Sequence, residues 1–144
     1  MAEAGWVKFN PNPDTKKYTR GKKKGEKVGH SDCVIRGFCK LFKEDWVTTY
    51  KRLCERGLEV FDIPNSKTTY TTFLKQNKTL TIRYSGRKQL TVRQVAEQTK
   101  GTRKTYLLKC SGHVVAICNG KYYDSWDSGG EFVKSAWELK DEEK

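Results

Sequence analysis

The chain has 144 residues and a mass of 16.6 kDa, enough for one domain that buries a core without disulfides or metals. Its apolar content is 35%, its mean hydropathy −0.82, and no stretch nears the ~18 consecutive apolar residues of a membrane span. Lysine and arginine number 29 against 17 acids, a net charge of +12 that turns attention to polyanions and acidic partners.

Residues 1–29 read as a basic, partly extended arm, and residues 30–144 as a single domain. The opening Met1-Ala2-Glu3-Ala4-Gly5-Trp6 lacks the charged-then-apolar profile of a secretion signal, so a cytoplasmic protein is expected. Asn10-Pro11-Asn12-Pro13 and the lysine run that follows favour extended chain, ordered where Trp6, Phe9 or Tyr18 docks. Apolar residues at Val34, Ile35, Phe38, Leu41 and Phe42 predict a helix, with Ser31 or Asp32 as its N-cap and Cys33 in its first turn. A second helix is expected from the cap Asp45 through Cys54, with Gly57 at its C′ position. Asn65 or Ser66 caps a short third helix bearing Tyr70, Phe73 and Leu74.

The period then changes. Leu80, Ile82 and Tyr84 alternate as a strand, and Thr91-x-x-Gln94 has the spacing of a capping box. Four β-rich runs follow at 105–110, 113–118, 121–126 and 131–139, with Asn119-Gly120 as a hairpin turn between two of them. Helices followed by antiparallel strands make an α+β fold, N-terminal helices packed on a C-terminal antiparallel sheet.

The five cysteines, Cys33, Cys39, Cys54, Cys110 and Cys118, are odd in number and irregular in spacing, which suits a reducing compartment and leaves at least one thiol unpaired. Cys33 stands where a helix N-terminus stabilises a thiolate and offers free backbone N–H groups to an oxyanion. The same position also suits a small buried filler. His113 is one of two histidines, with His30, and opens a strand after Ser111-Gly112. A two-residue turn at Asn119-Gly120 pairs Cys118 with Lys121 and Ile117 with Tyr122. That register puts His113, Val115, Ile117, Tyr122, Asp124 and Trp126 on one face. Asp124 is the acid on that apolar face, diagonal to His113. A slip of one residue would substitute Asp127 or Ser125. A carboxylate that orients a histidine, which deprotonates a cysteine, is a nucleophilic triad; a hydrogen-bonded pair at a sheet edge is the simpler account.

At these residues the sequence resembles the papain-like cysteine peptidases. Cysteine at a helix start, histidine opening a later strand and an acid on the next strand follow that superfamily's chain order. Asp124-Ser125-Trp126 is similar to the Asn-Ser-Trp of papain, with Asp in place of the orienting Asn, and Asp32-Cys33 is similar to the start of the nucleophile helix in bacterial cell-wall endopeptidases. The Asn10–Pro13 arm, Asp32-Cys33-Val34-Ile35-Arg36, and the segment 112–127 together resemble small papain-like proteins of phages and mobile elements of Gram-positive bacteria. The resemblance implies a papain-like fold and a cysteine hydrolase acting on peptide or amide bonds of a peptide or protein substrate. Cys33 would be the nucleophile, His113 the base and acid, Asp124 the orienter and Trp126 a shield over the pair. A phage-encoded protein would work in the host cytoplasm. Papain's oxyanion-hole glutamine falls here on Lys27, so the second donor is open among Ser31, His30 and Asn12.

Two other readings compete. His30-x-x-Cys33 with Cys110-x-x-His113 has the composition of a zinc site, but Gly112 separates Cys110 from His113 across a strand junction and no Cys-x-x-Cys knuckle exists. No metal, cofactor or membrane is therefore expected. The second is a catalytically inactive binding module for nucleic acid or an acidic protein. Its cations would be Lys16, Lys17, Arg20, Lys22, Lys23 and Lys24, with Lys27 against Glu26, and a second basic stretch spans 83–104. Solvated lysines that keep the protein soluble explain the same stretches, and no nucleic-acid-binding signature accompanies them.

Overall fold

The computed structural model describes residues 5–77, 79–83 and 90–139. Tyr84, the cations Arg87 and Lys88, and the charged end at 140–144 lie outside them. The described elements run β1 (Trp6–Lys8), α1 (Cys33–Phe42), α2 (Trp46–Val60), α3 (Lys67–Gln76), β2 (Thr79–Arg83), α4 (Val92–Gln98), β3 (Thr105–Cys110), β4 (His113–Cys118), β5 (Lys121–Asp124) and β6 (Ser135–Leu139). The fold is α+β, helices leading and most strands following.

The strands form one sheet in the order β1-β5-β4-β3-β6-β2. All neighbours are antiparallel except β1, which runs parallel to β5, so the sheet is mixed where an antiparallel one was expected. Strand alternation sends side chains to two cores. Leu107, Val114, Ala116 and Trp137 meet α1, α2 and α3 on one face. Leu108, Val115, Ile117 and Tyr122 meet Val92, Val95 and Ala96 of α4 on the other. The α1 stripe is fully engaged, with Val34, Ile35, Phe38 and Leu41 all 5% exposed or less, and such burial contributes about 1.5–3 kcal/mol per large apolar side chain. Gly37 lets α1 lie close on the sheet, since a Cβ there would stand 2.6 Å from Leu107 Cδ1.

Several local expectations hold. The Asn119 and Gly120 φ angles of 50° and 81° make the two-residue turn, which gives the pairs Cys118–Lys121 and Ile117–Tyr122. Ser66 caps α3, and Thr91 with Gln94 forms the capping box of α4.

Others are corrected. Residues 6–8, expected in the arm, are an edge strand of the sheet. The lysine run is the tip of a small antiparallel loop closed by the Lys17–Lys27 bridge, with Tyr18 N–H on Glu26 O at 2.9 Å and Val28 N–H on Lys16 O at 2.9 Å. β5 ends at Asp124 rather than Trp126, because the Asp124 carboxylate takes the Ser125 N–H. β6 begins at Ser135, later than residue 131.

Gly57 is not the C′ residue of α2. The helix continues to Val60, and Phe61 takes the left-handed conformation (φ 59°) in its place. Gly57 lies in the last turn, where the chain folds back so closely that a Cβ would stand 2.5 Å from the Asp62 carbonyl oxygen. Gly57→Ala is therefore expected to destabilise the protein by about 1–3 kcal/mol although alanine is the better helix former, as urea unfolding will measure. An unchanged midpoint would refute the packing argument.

Candidate active site

α1 starts at Cys33, so the Cys33 amide belongs to the first turn, whose N–H groups have no acceptor within the helix. Asp32 occupies the N-cap position without capping: its carboxylate makes no bond to the helix amides. Instead it accepts from the Asn12 Nδ2 (3.0 Å), from the Trp46 indole (2.9 Å) and from the Arg36 guanidinium. Asn12, Asp32 and Arg36 are all buried.

The hairpin supplies the other two groups. His113 opens β4 and Asp124 closes β5 at the same end of the sheet, where α1 begins. His113 Nε2 lies 2.6 Å from Asp124 Oδ2, and the thiol of Cys33 shares a hydrogen bond with the same ring. With Nε2 taken by the acid, Nδ1 is the ring nitrogen left for Cys33. Cys33 also receives the Val114 backbone N–H. The His113 side chain is 9% exposed and that of Asp124 1%.

Asp124 is held at every acceptor. Oδ1 accepts from Arg36 Nη2 at 2.9 Å and from Ser125 N–H at 2.8 Å, and Oδ2 from Ser128 Oγ at 2.7 Å as well as from His113. Its backbone carbonyl takes the Phe9 N–H at 2.8 Å and the Trp6 indole at 3.2 Å. β1 thus clamps the strand that carries the acid, and Arg36 bridges the two buried carboxylates from α1.

Electrostatics separate Cys33 from its fellow thiols. Burial alone would raise its pKa, but the His113 hydrogen bond, the Val114 N–H and the positive charges of His113 and Arg36 carry it below the ordinary 9.0. Burial pushes the Cys110 thiol up to about 12 and raises Cys39 as well. Burial works against a charged His113 too, yet Asp124 and Cys33 raise its pKa to about 9. Asp124 is lowered despite burial by His113, Ser128 and Arg36. The three shifts agree: the imidazolium is stabilised by the thiolate and the carboxylate beside it, and stabilises both.

Cys33 and His113 line a pocket of about 560 Å³ with Ser31, Tyr70, Lys109 and Trp126. The Trp126 ring stands 4.9 Å from the His113 ring, over one side of it, and is itself 45% exposed. Among the three oxyanion candidates, His30 and Ser31 line this pocket. Asn12 does not line it; its amide nitrogen is bonded to Asp32 and its Oδ1 accepts the Asp14 N–H at 2.9 Å. His30 Nε2 is 2.8 Å from Asp14 Oδ2, and Lys27 donates to the Asn12 carbonyl. Lys16, Lys17, Arg20, Lys22, Lys23 and Lys24 are exposed on the loop, Lys23 lying 6.0 Å over the Tyr18 ring. Among the described residues no group of three or more His, Cys, Asp or Glu side chains has metal-ligating geometry, and no helix is long and apolar enough to cross a membrane.

Sequence reasoning missed Arg36 and Ser128. A signal for Arg36 existed: an arginine amid Val34, Ile35 and Phe38 on a buried helix needs a carboxylate, and Asp32 precedes it by four residues. Ser128 lies in what reads as a plain turn, and nothing local marks it. Protein-family models, curated proteins and solved structures give no match to this chain.

Proposed function

We propose that this chain is a papain-like cysteine hydrolase of peptide or amide bonds. The observation that carries the reading is the hydrogen-bonded series Cys33–His113–Asp124 at the start of a helix beside an open pocket, with a lowered thiol and a raised imidazole. The Cys33 thiolate attacks the substrate carbonyl carbon. As the tetrahedral intermediate collapses, the C–N bond breaks and the His113 imidazolium gives its proton to the leaving amine. Water then attacks the Cys33 thioester while His113 takes its proton, releasing the carboxylic acid and the free thiol. Asp124 keeps the ring oriented and compensates its positive charge. The Cys33 amide is one oxyanion donor, and His30 or Ser31 supplies the second from the same pocket wall. Lys27, at the place of papain's glutamine, is engaged with the Asn12 carbonyl and takes no part.

The test is alkylation of the five thiols by iodoacetamide across pH 5 to 10, read by mass spectrometry. Cys33 is expected to react ahead of the other four and at lower pH than an ordinary thiol, and His113→Ala is expected to abolish that advantage. A Cys33 that titrates as an ordinary thiol, or stays inert in both proteins, overturns the proposal.

A further inference from the structure

The pocket at Cys33 continues past the thiol. Lys67, the first residue of α3, and Lys109 of β3 line both it and a second pocket of about 600 Å³ that runs between α3 and β6. Lys75 and Lys134 stand on that continuation. Among the described residues no aspartate or glutamate lines either pocket, and none of these four lysines forms an ion pair. Lys109 is half-buried, and burial together with the nearby Lys67 and Lys134 charges lowers its pKa. Cations gathered in a groove without a counter-charge favour an anionic occupant. On the other side of Trp126 the groove mixes Lys8, Lys23 and Lys27 with Glu26, so the uncompensated charge lies on the α3 side.

The lysine side of the groove suits a nucleic acid poorly. Tyr70 and Trp137, the aromatic residues lining these two pockets on the α3 side, are 5% and 7% exposed and pack edge to face at 6.1 Å, so neither presents a ring face to a base beside the lysines. The groove also leads directly to a thiol, whose target under the hydrolase reading is an acyl carbon. We infer that the substrate is an acidic peptide, with aspartate or glutamate side chains seated along Lys67, Lys109 and Lys134 on one side of the scissile bond. This inference rests on Cys33 being the nucleophile.

The test uses the full chain and peptidyl vinyl sulfones in matched sets that differ only in Glu, Gln or Lys at the positions flanking the electrophile. Exposed charge pairs contribute roughly threefold each, so the Glu set is expected to label Cys33 on the order of tenfold faster than the Gln set at low salt. Molar salt should erase the difference. In Lys67→Gln/Lys134→Gln, both solvent-exposed positions, the Glu-to-Gln ratio should fall towards one, and Lys134→Glu should shift preference towards the Lys set. Equal Glu and Gln rates in the unmodified protein overturn the inference, as does a preference that survives the double substitution. So does protection of Cys33 by a single-stranded oligonucleotide with no Glu preference, which would mark a phosphodiester groove. Failure of the hydrolase reading is distinct: Cys33 then titrates with iodoacetamide as an ordinary thiol or stays inert to it.

Discussion

Arg36→Met is expected to remove about 3–5 kcal/mol of stability, a large fraction of the roughly 5–15 kcal/mol that folded domains have. The guanidinium is 6% exposed and divides itself between Asp32 and Asp124, carboxylates that are 7% and 1% exposed in their side chains. Removing it leaves two anions buried together. Asp32 keeps Asn12 and Trp46, and Asp124 keeps His113, Ser128 and the Ser125 N–H, so the loss is of charge compensation more than of hydrogen bonds. Thermal unfolding should report a drop of about 10 °C or more. Lysine is a poor substitute, since one ammonium cannot span both acids in the way of a planar fork. The double variant Arg36→Met/Asp32→Asn should recover part of the loss, because one of the two stranded charges is gone. Absence of coupling in that cycle would mean that the arginine acts only through packing. A second effect follows at the thiol: the Arg36 charge is among the groups that lower the Cys33 pKa, so alkylation of Cys33 should move to higher pH in the folded variant.

The hairpin was the most legible part of the molecule. A type of turn that demands positive φ at two positions fixes register, and register fixes which side chains meet, so His113 and Asp124 were paired from the sequence by a local rule. Cys33 was legible because a capped amphipathic stripe tells where a helix starts. What escaped depends on long-range partners. β1 has only three residues, too short for a period-2 signal, and its pairing with β5 joins Trp6 to Tyr122 across almost the whole chain. Asn12 reads as part of a proline-bracketed arm, and its burial under Asp32 has no local sign. Asp32 looked like a helix cap and is a buried anion instead, because Arg36, Trp46 and Asn12 outcompete the helix amides for its oxygens. Gly57 shows the same limit at a smaller scale: a glycine near a helix end suggests termination, whereas here it admits the returning chain.

Asp124→Asn is the second substitution with a large expected effect, and it tests whether the acid works by charge or by shape. The carboxylate accepts four donors, two on each oxygen. An amide has one acceptor oxygen. Turned so that its oxygen meets Arg36 and Ser125, it presents N–H groups to His113 and Ser128; turned the other way, it presents them to Arg36 and the Ser125 N–H. The second orientation leaves donors facing donors, and the first is satisfied only when His113 is neutral with Nε2 unprotonated, so the isosteric change is not conservative here. Without the negative charge the His113 pKa should fall from about 9 towards 6.5, and the Cys33 thiol should return towards 9.0. At pH 7 the thiolate fraction then drops, and the iodoacetamide rate at Cys33 with it. Stability should follow the same groups. His113, raised above 6.5, contributes fully below that pH and loses its contribution as pH rises through about 9. Asp124, lowered below 3.8, contributes above that pH and loses its contribution as pH falls through its folded value. The stability advantage of the unmodified protein over Asp124→Asn should therefore be greatest between about pH 4 and 6.5 and shrink on both sides. A difference that is flat from pH 4 to 10 would show that the acid contributes only shape. Thermal melts across that range, alongside the alkylation rates, separate the two.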